Sequence, residues 1–474
     1  MTAPLLDKQQ KATAAPWITR ELADVLASAA DHLPAAVLGH AHRAVLDWLG
    51  SALAGAREPQ ARMAQQVALR FGRSDESTLL GAGRGSAPAA AFANGIASHI
   101  LELDDIHKGS TVHAAAPIIP AAVAVAERER RPGRALLAAV AIGYEAAFRI
   151  GEAVNPSHYR YWHPTGTAAT FGAAAAAGAL LGLTALDMRH ALGTAGTQAA
   201  GLWEFNADGA MSKHLHPGKA ALNGVLSADL AKAGFTSASR ILEGERGFFR
   251  AMSASCDPSR VTEGLGTDWK IGENGYKLHA CCGHTHSAID LVLALRGARG
   301  WSAADVRAQV AAIDVETYDV GFGIVKEMHP RSPYQGKFSM AYCVAAGLLE
   351  GRVDVDQFSA DRFGPDGVRQ PAIATLLGRT RVRVADDLSA RYPAAWPARV
   401  TVTLVDGSRI SETADYPRGN PENPVDTEEL RAKFIALVAP RLGRPAADAA
   451  LAAIDALPEC DDVAQLFRPL GNGG

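Results

Sequence analysis

The stretch Ala398-Arg399-Val400-Thr401-Val402-Thr403-Leu404-Val405-Asp406-Gly407-Ser408-Arg409-Ile410-Ser411-Glu412 runs in β-type alternation up to an Asp-Gly pair and continues beyond it. Asp-Gly between two alternating runs is a hairpin signal, because the tight turn needs residues that tolerate positive φ. Val310 to Tyr318 and Arg379 to Val384 alternate in the same way, and helical segments Thr285 to Arg296 and Ser339 to Leu349 lie among them. Residues 266–415 therefore read as an α+β domain.

On either side the texture is helical. From Trp17 to about Leu265, runs rich in Ala and Leu are broken by Gly, Pro and polar clusters. They predict helices at Ile18 to Ala30, Ala35 to Ala54, Pro59 to Phe71, Ala87 to Leu101, Pro117 to Arg128, Ala135 to Val154, Pro164 to Leu181, Ala185 to Ala199 and Gly218 to Lys232. Several begin at proline, which suits a first turn whose amides are unpaired anyway. Helical periodicity returns from Thr427 to Leu466, and an all-α tail after an α+β insert most simply folds back onto the first helices. The expected fold is mainly α: a large all-helical domain of residues 17–265 and 416–468, with a smaller α+β domain between.

A 474-residue chain with 48% hydrophobic residues has ample core material for two domains. Its formal net charge of -3 and the lack of a basic run argue against a nucleic-acid partner. Met1 to Pro16 is polar and has no charged-then-apolar leader, so a disordered tail and a cytoplasmic protein are expected. The uncharged stretch Thr165 to Leu183 is long enough for a bilayer, but its Ala and Gly favour a buried helix over a membrane span. Five cysteines, an odd number with Cys281 and Cys282 adjacent, do not form a disulfide framework.

Five polar clusters carry candidate chemistry. Glu102-Leu103-Asp104-Asp105 with His113 pairs carboxylates with an imidazole, which can hold a proton near neutral pH when burial and like charge raise a carboxyl pKa; the alternative is a charged helix end in water. His163, in Trp162-His163-Pro164-Thr165, is expected at a helix N-terminus, where the dipole favours a neutral imidazole and attracts anions, or else merely caps that helix. Lys213 to Lys219, with His216, precedes another expected helix; two lysines there oppose the dipole unless an anion joins them. Lys277 to His286 crowds a lysine, Cys281, Cys282 and three histidines into ten residues. Adjacent cysteines fit one tetrahedral ion poorly, no Cys-x-x-Cys occurs, and no metal is expected; a Cys–His nucleophile stays conceivable. Lys337-Phe338-Ser339 with Tyr342 opens a helix, and Tyr342 is either core or a phenolic acid.

Taken in order, these clusters resemble the MmgE/PrpD family, which includes 2-methylcitrate dehydratase, cis-aconitate decarboxylase and iminodisuccinate epimerase. The resemblance spans about Trp17 to Phe467. It is carried by Leu103-Asp104-Asp105 with His113, Trp162-His163-Pro164-Thr165, Met211-Ser212-Lys213 with His216 and Gly218, Lys277 with Cys282 and His286, Lys337-Phe338-Ser339 with Tyr342, and Tyr416-Pro417-Arg418-Gly419-Asn420-Pro421. It implies that the α+β domain is a lid over the helical domain, that the protein is a homodimer, and that the site between them uses no metal or cofactor. The implied pocket contains Asp104, Asp105, His113, His163, Lys213, Lys277, Cys282 and Tyr342. Ile106 and Ala114-Ala115 replace a threonine and a Pro-Ser common in relatives, and Cys282 replaces a histidine of the decarboxylase. These departures point away from that decarboxylase.

The implied chemistry is proton abstraction α to a carboxylate of a small polycarboxylate. Lys213, Lys277 and His216 would hold carboxylates, His163 or an Asp of the 104–105 pair would be the base, and His113 or Tyr342 the acid. Dehydration of a hydroxy di- or tricarboxylate resembling 2-methylcitrate is the leading expectation, and epimerisation of a dicarboxylate the alternative.

Overall fold

The computed structural model describes residues 17–72 and 74–471. The expected tail, 1–16, lies outside the described residues.

Among the described residues, nine longer helices precede the four-stranded sheet: α1 (Ile18–Ser28), α2 (Ala35–Gly55), α3 (Pro59–Ala68), α4 (Ala87–His99), α5 (Ala115–Arg128), α6 (Gly133–Val154), α7 (Ala168–Leu181), α8 (Ala185–Gln198) and α9 (Ser212–Lys232). The Ala-rich α7 is buried on nearly every side, packed by α5, α6, α8 and α9. Small residues let these axes approach. A Cβ on Gly143 of α6 would lie 2.8 Å from the carbonyl oxygen of Gly172 in α7, and one on Gly95 of α4 would lie 2.8 Å from Gly218 Cα in α9. No described helix is long and apolar enough to cross a membrane; α7 is buried by its own neighbours instead.

The helices expected from Pro117 and Ala135 start slightly earlier, at Ala115 and Gly133, and two other starts differ more widely from the sequence expectation. α7 begins at Ala168 rather than Pro164, because residues 164–167 form turns. α9 begins at Ser212, with Pro217 inside it, so Lys213 lies in the first turn and Lys219 two turns further on. A proline removes its own amide bond and crowds the carbonyl four residues back, and tertiary packing of α9 against α4 and α7 outweighs that cost.

The later segment adds α10 (His286–Arg299), β1 (Val310–Thr317), α11 (Met340–Glu350), β2 (Thr380–Val384), β3 (Ala398–Leu404) and β4 (Arg409–Ala414). The sheet order is β2-β1-β3-β4, with β1 and β2 parallel and the other pairs antiparallel. The predicted hairpin is β3–β4, with Thr403 opposite Arg409. Ala398, Val400, Val402 and Leu404 alternate inward, while β4 is an edge rich in charged and hydroxyl residues, as an exposed edge should be. α10 and α11 pack on each other and against the sheet. The chain closes with α12 (Thr427–Leu442), which packs on α2, and α13 (Arg444–Asp455). Asp426 caps α12 and Glu429 completes the capping box.

Candidate functional site

The site is assembled where α4 ends. Past His99, the chain turns through Glu102, whose φ of 58° lies in the left-handed region that a side chain rarely adopts. That turn sends the Glu102 side chain back toward α9. Lys213, in the first turn of α9, donates to Glu102 Oε1, and both side chains are 2% exposed. The segment 102–105, readable as a solvated helix end, is therefore interior.

The lysine at 277 is placed by backbone pairing. Ile106 and Gly275 exchange N–H···O bonds of 2.9 and 3.0 Å, which lays the 275–282 segment along the 104–106 loop. Lys277 Nζ then sits 3.6 Å from Glu102 Oε2 and 3.7 Å from Asp104 Oδ1, with no hydrogen-bond partner of its own. Asp104 Oδ1 is likewise without one, while Oδ2 receives His99 Nδ1 at 2.6 Å. Four fully buried charges thus face each other with unspent donor and acceptor capacity. In a finished core such atoms are paired, so this geometry fits a place where a ligand completes the set.

Burial alone would raise both carboxyls. Around Asp104, His99, His113 and Lys277 instead hold it well below the usual carboxylate range. Lys213, His99 and Lys277 do the same for Glu102. Lys277 stays protonated: burial lowers its pKa, but Asp104 and Glu102 raise it further.

Asp105 behaves differently from its neighbour. Burial pushes its pKa up to about 7, against bonds from the Tyr144 hydroxyl and the Ala115 amide. Those bonds, 2.6 and 2.9 Å, tie Asp105 to α6 and to the start of α5. Asp105 is thus committed to joining helices, and the Asp pair divides into one carboxylate in the cluster and one beneath it.

The imidazoles surround Asp104. His113 Nδ1 lies 2.6 Å from the Asp105 carbonyl oxygen, which can only accept, so Nδ1 carries the proton and Nε2 holds a lone pair. Burial keeps His113 well below its ordinary pKa despite Asp104, yet its side chain retains 12% exposure. His163 is neutral through burial and proximity to His216. It precedes α7 by a turn instead of capping it, so the expected dipole effect gives way to desolvation. His163 Nδ1 and His216 Nδ1 are 3.1 Å apart.

Three expectations change here. Tyr342 is not brought to the cluster: its hydroxyl donates to the Gln357 carbonyl and its ring packs on Phe358 and Phe363. His216 is buried and pushed down to about 3, so it pairs with His163 rather than supplying a cation for a carboxylate. Lys219 donates to the carbonyls of Gly166, Gln198 and Ala200, a structural cap. Cys282 does stand beside the cluster, within electrostatic reach of Lys213, Glu102 and Lys277, with burial pushing its thiol up to about 12. It is neutral there and not a ready nucleophile.

Sequence reasoning misses His99, and it places Glu102 in the first polar cluster without a role in the pocket. His99 lies inside an apolar helix and is revealed by its bond to Asp104, five residues on; Glu102 reads as a helix-end charge and is revealed by its αL turn and its contact with Lys213, 111 residues away. His214 and Lys337 also belong nearby. A cavity of about 610 Å³ has Glu102 and His214 in its wall, with Tyr334 and Lys337.

Among the described residues, two donor sets have metal-like spacing: His99, Asp104 and His113, and His107, Glu152 and Glu273, with candidate atoms within 4.8 Å of one another. In the first, the His113 nitrogen nearest Asp104 is the protonated Nδ1, and the Lys277 ammonium is 3.7 Å from Asp104. Both features disfavour a cation there. In the second, the Lys270 ammonium already bridges Glu152 and Glu273 at 3.2 and 3.0 Å.

Residues 20–260 match the MmgE/PrpD N-terminal domain and residues 279–459 the MmgE/PrpD C-terminal domain. Among similar curated proteins, a cis-aconitate decarboxylase of Aspergillus terreus is 30% identical over 432 residues, covering 86% of each chain. The cis-aconitate decarboxylase-like protein oryM of Aspergillus oryzae is 29% identical over 85% of this chain and 86% of its own. Cis-aconitate decarboxylase of Homo sapiens is 27% identical over 92% and 90% respectively.

Proposed function

The chain belongs to the MmgE/PrpD family, and from that premise we propose that it is a lyase that removes carbon dioxide from an unsaturated tricarboxylate of the cis-aconitate type. The observation that carries the proposal is the unpartnered Lys277 ammonium, held between two ionised carboxylates and beside Lys213. Its spare N–H donors suit an incoming carboxylate, and its charge suits the anion that forms next to that carboxylate as the reaction proceeds.

Loss of carbon dioxide leaves an electron pair on carbon. In an unsaturated acid that pair forms a new double bond, and the far carbon of the old one takes a proton. The net change is one proton in and one carbon dioxide out. Lys277 and Lys213 hold a retained carboxylate and spread the charge. His113 delivers the proton from Nε2: neutral in the free protein, it gains basicity when a multiply negative substrate arrives beside it. Asp104, held ionised by His99, stabilises the imidazolium. Glu102 helps keep Lys277 charged and holds Lys213 by a direct bond.

The dehydration expected from sequence is the second reading, favoured by Cys282, where the resemblance places a histidine in the decarboxylase. There His113 Nε2 would remove the α-proton and pass it to the departing hydroxyl, so that one water leaves as the carbon–carbon double bond forms. Incubation with cis-aconitate, and separately with citrate and 2-methylcitrate, in deuterated water separates the readings by NMR. A decarboxylated product with one carbon-bound deuterium supports the first. An unsaturated acid formed from a hydroxy acid with no carbon dioxide replaces it with the second. Turnover of none of the three, with no deuterium exchange, defeats both.

A further inference from the structure

Lys337 is only 8% exposed, and among the described residues no carboxylate lies within 4 Å of its ammonium. Its Nζ donates to the carbonyls of Leu101 and Ile100, at 2.8 and 3.3 Å, just past the end of α4. Two carbonyls use two of three N–H donors and neutralise none of the charge. Burial accordingly pushes Lys337 down to about 8. A buried cation without a counter-ion is costly, and the protein keeps it on the wall of a cavity.

His214 shares that wall. It is 6% exposed, and its Nδ1 is buried with no hydrogen-bond partner. Both side chains line the 610 Å³ cavity that reaches Glu102. Further along, Glu58 and Asp356 line the same cavity with Arg441, so its wall carries both signs of charge.

We infer that Lys337 and His214 form a second carboxylate subsite in this cavity, holding the substrate carboxylate farthest from the one held at Lys213 and Lys277. The inference rests on the polycarboxylate reading above and sharpens it: the preferred substrate carries a carboxylate remote from the reacting carbon. An arriving carboxylate would take the third N–H of Lys337 and the Nδ1 donor of His214, completing both groups at once.

The test uses two unreactive probes, tricarballylate, which has three carboxylates, and succinate, which has two on neighbouring carbons, titrated calorimetrically near pH 7. Removing one charge-assisted contact should weaken tricarballylate binding to Lys337→Gln by about tenfold or more, with succinate changed less than about twofold. Lys337→Arg should recover most of the loss. His214→Gln should weaken tricarballylate several-fold and serves if Lys337→Gln does not fold. Equal effects on both probes, or none on tricarballylate from either folded variant, would overturn the subsite. A wild type that binds neither probe would instead overturn the polycarboxylate reading itself.

Discussion

Replacing Asp105 by Asn should stabilise the protein at alkaline pH. Asp105 is fully buried and its pKa is pushed from 3.8 up to about 7, chiefly by desolvation, with its bonds to Tyr144 and Ala115 opposing. A carboxyl raised in the folded state makes the folded chain bind more protons than the unfolded one between the two values. Stability from this group is therefore greatest below about pH 4 and falls as pH rises toward 7. At about 1.4 kcal/mol per unit, the ionised carboxylate costs at most on the order of 4 kcal/mol at pH 8. An amide mimics the protonated acid, keeping an oxygen for the Ala115 amide and offering N–H to the Tyr144 oxygen, so Asp105→Asn escapes that cost. For 474 residues the unfolding entropy is about 1 kcal/mol per degree. The variant's advantage over wild type should then be about 1.7 kcal/mol at pH 5 and grow to a melting point a few degrees higher at pH 8, by scanning calorimetry at matched scan rate. Because Asp105 joins α5 and α6 and sits beneath the cluster, turnover should remain within about tenfold of wild type. A variant that melts lower at pH 8 than at pH 5, relative to wild type, would refute the raised pKa and make Asp105 a required anion.

His113→Asn, which keeps a donor near the Asp105 carbonyl but lacks Nε2, should lower kcat by about 10²–10⁴ with little change in tricarballylate affinity; an unchanged kcat would remove His113 from proton transfer. Tyr342→Phe loses one hydrogen bond to Gln357, so it should cost about 1 kcal/mol in stability by denaturant titration and leave kcat within twofold; a large fall in kcat would restore Tyr342 to the reaction. Gly218→Ala puts a methyl 2.6 Å from the Phe92 carbonyl oxygen where α9 crosses α4, so it should lower the melting temperature and reduce turnover together; a fully active, equally stable variant would contradict the tight crossing. Exhaustive chelation should leave the rate unchanged, and loss restored by one added divalent metal would reopen the His99, Asp104 and His113 set.

How far the sequence could be read depended on the range of the signal. The β3–β4 hairpin was legible because alternation and Asp-Gly are local, and so were most helices. The start of α9 was not, since Pro217 is a local stop that tertiary packing overrides. Asp104, His113, Lys213 and Lys277 were legible as candidates because their neighbours form compact polar motifs. What joins them is the Ile106–Gly275 bridge, 169 residues apart in number, and the αL turn at Glu102, neither of which has a periodic signature. Tyr342 shows the converse: a phenol at a helix start looks the same in sequence whether it meets a substrate or, as here, a carbonyl 15 residues on.

The central claim is that Lys277 receives a carboxylate of a substrate that the cluster then transforms. Carbon-13 NMR of labelled cis-aconitate with wild type and Lys277→Met tests it most directly, with tricarballylate affinity measured on both. Labelled carbon dioxide is expected from wild type and none from Lys277→Met, with tricarballylate binding weakened by at least about tenfold in the folded variant. Wild-type rates from Lys277→Met, or undiminished tricarballylate affinity in it, would show that Lys277 does not receive the substrate carboxylate.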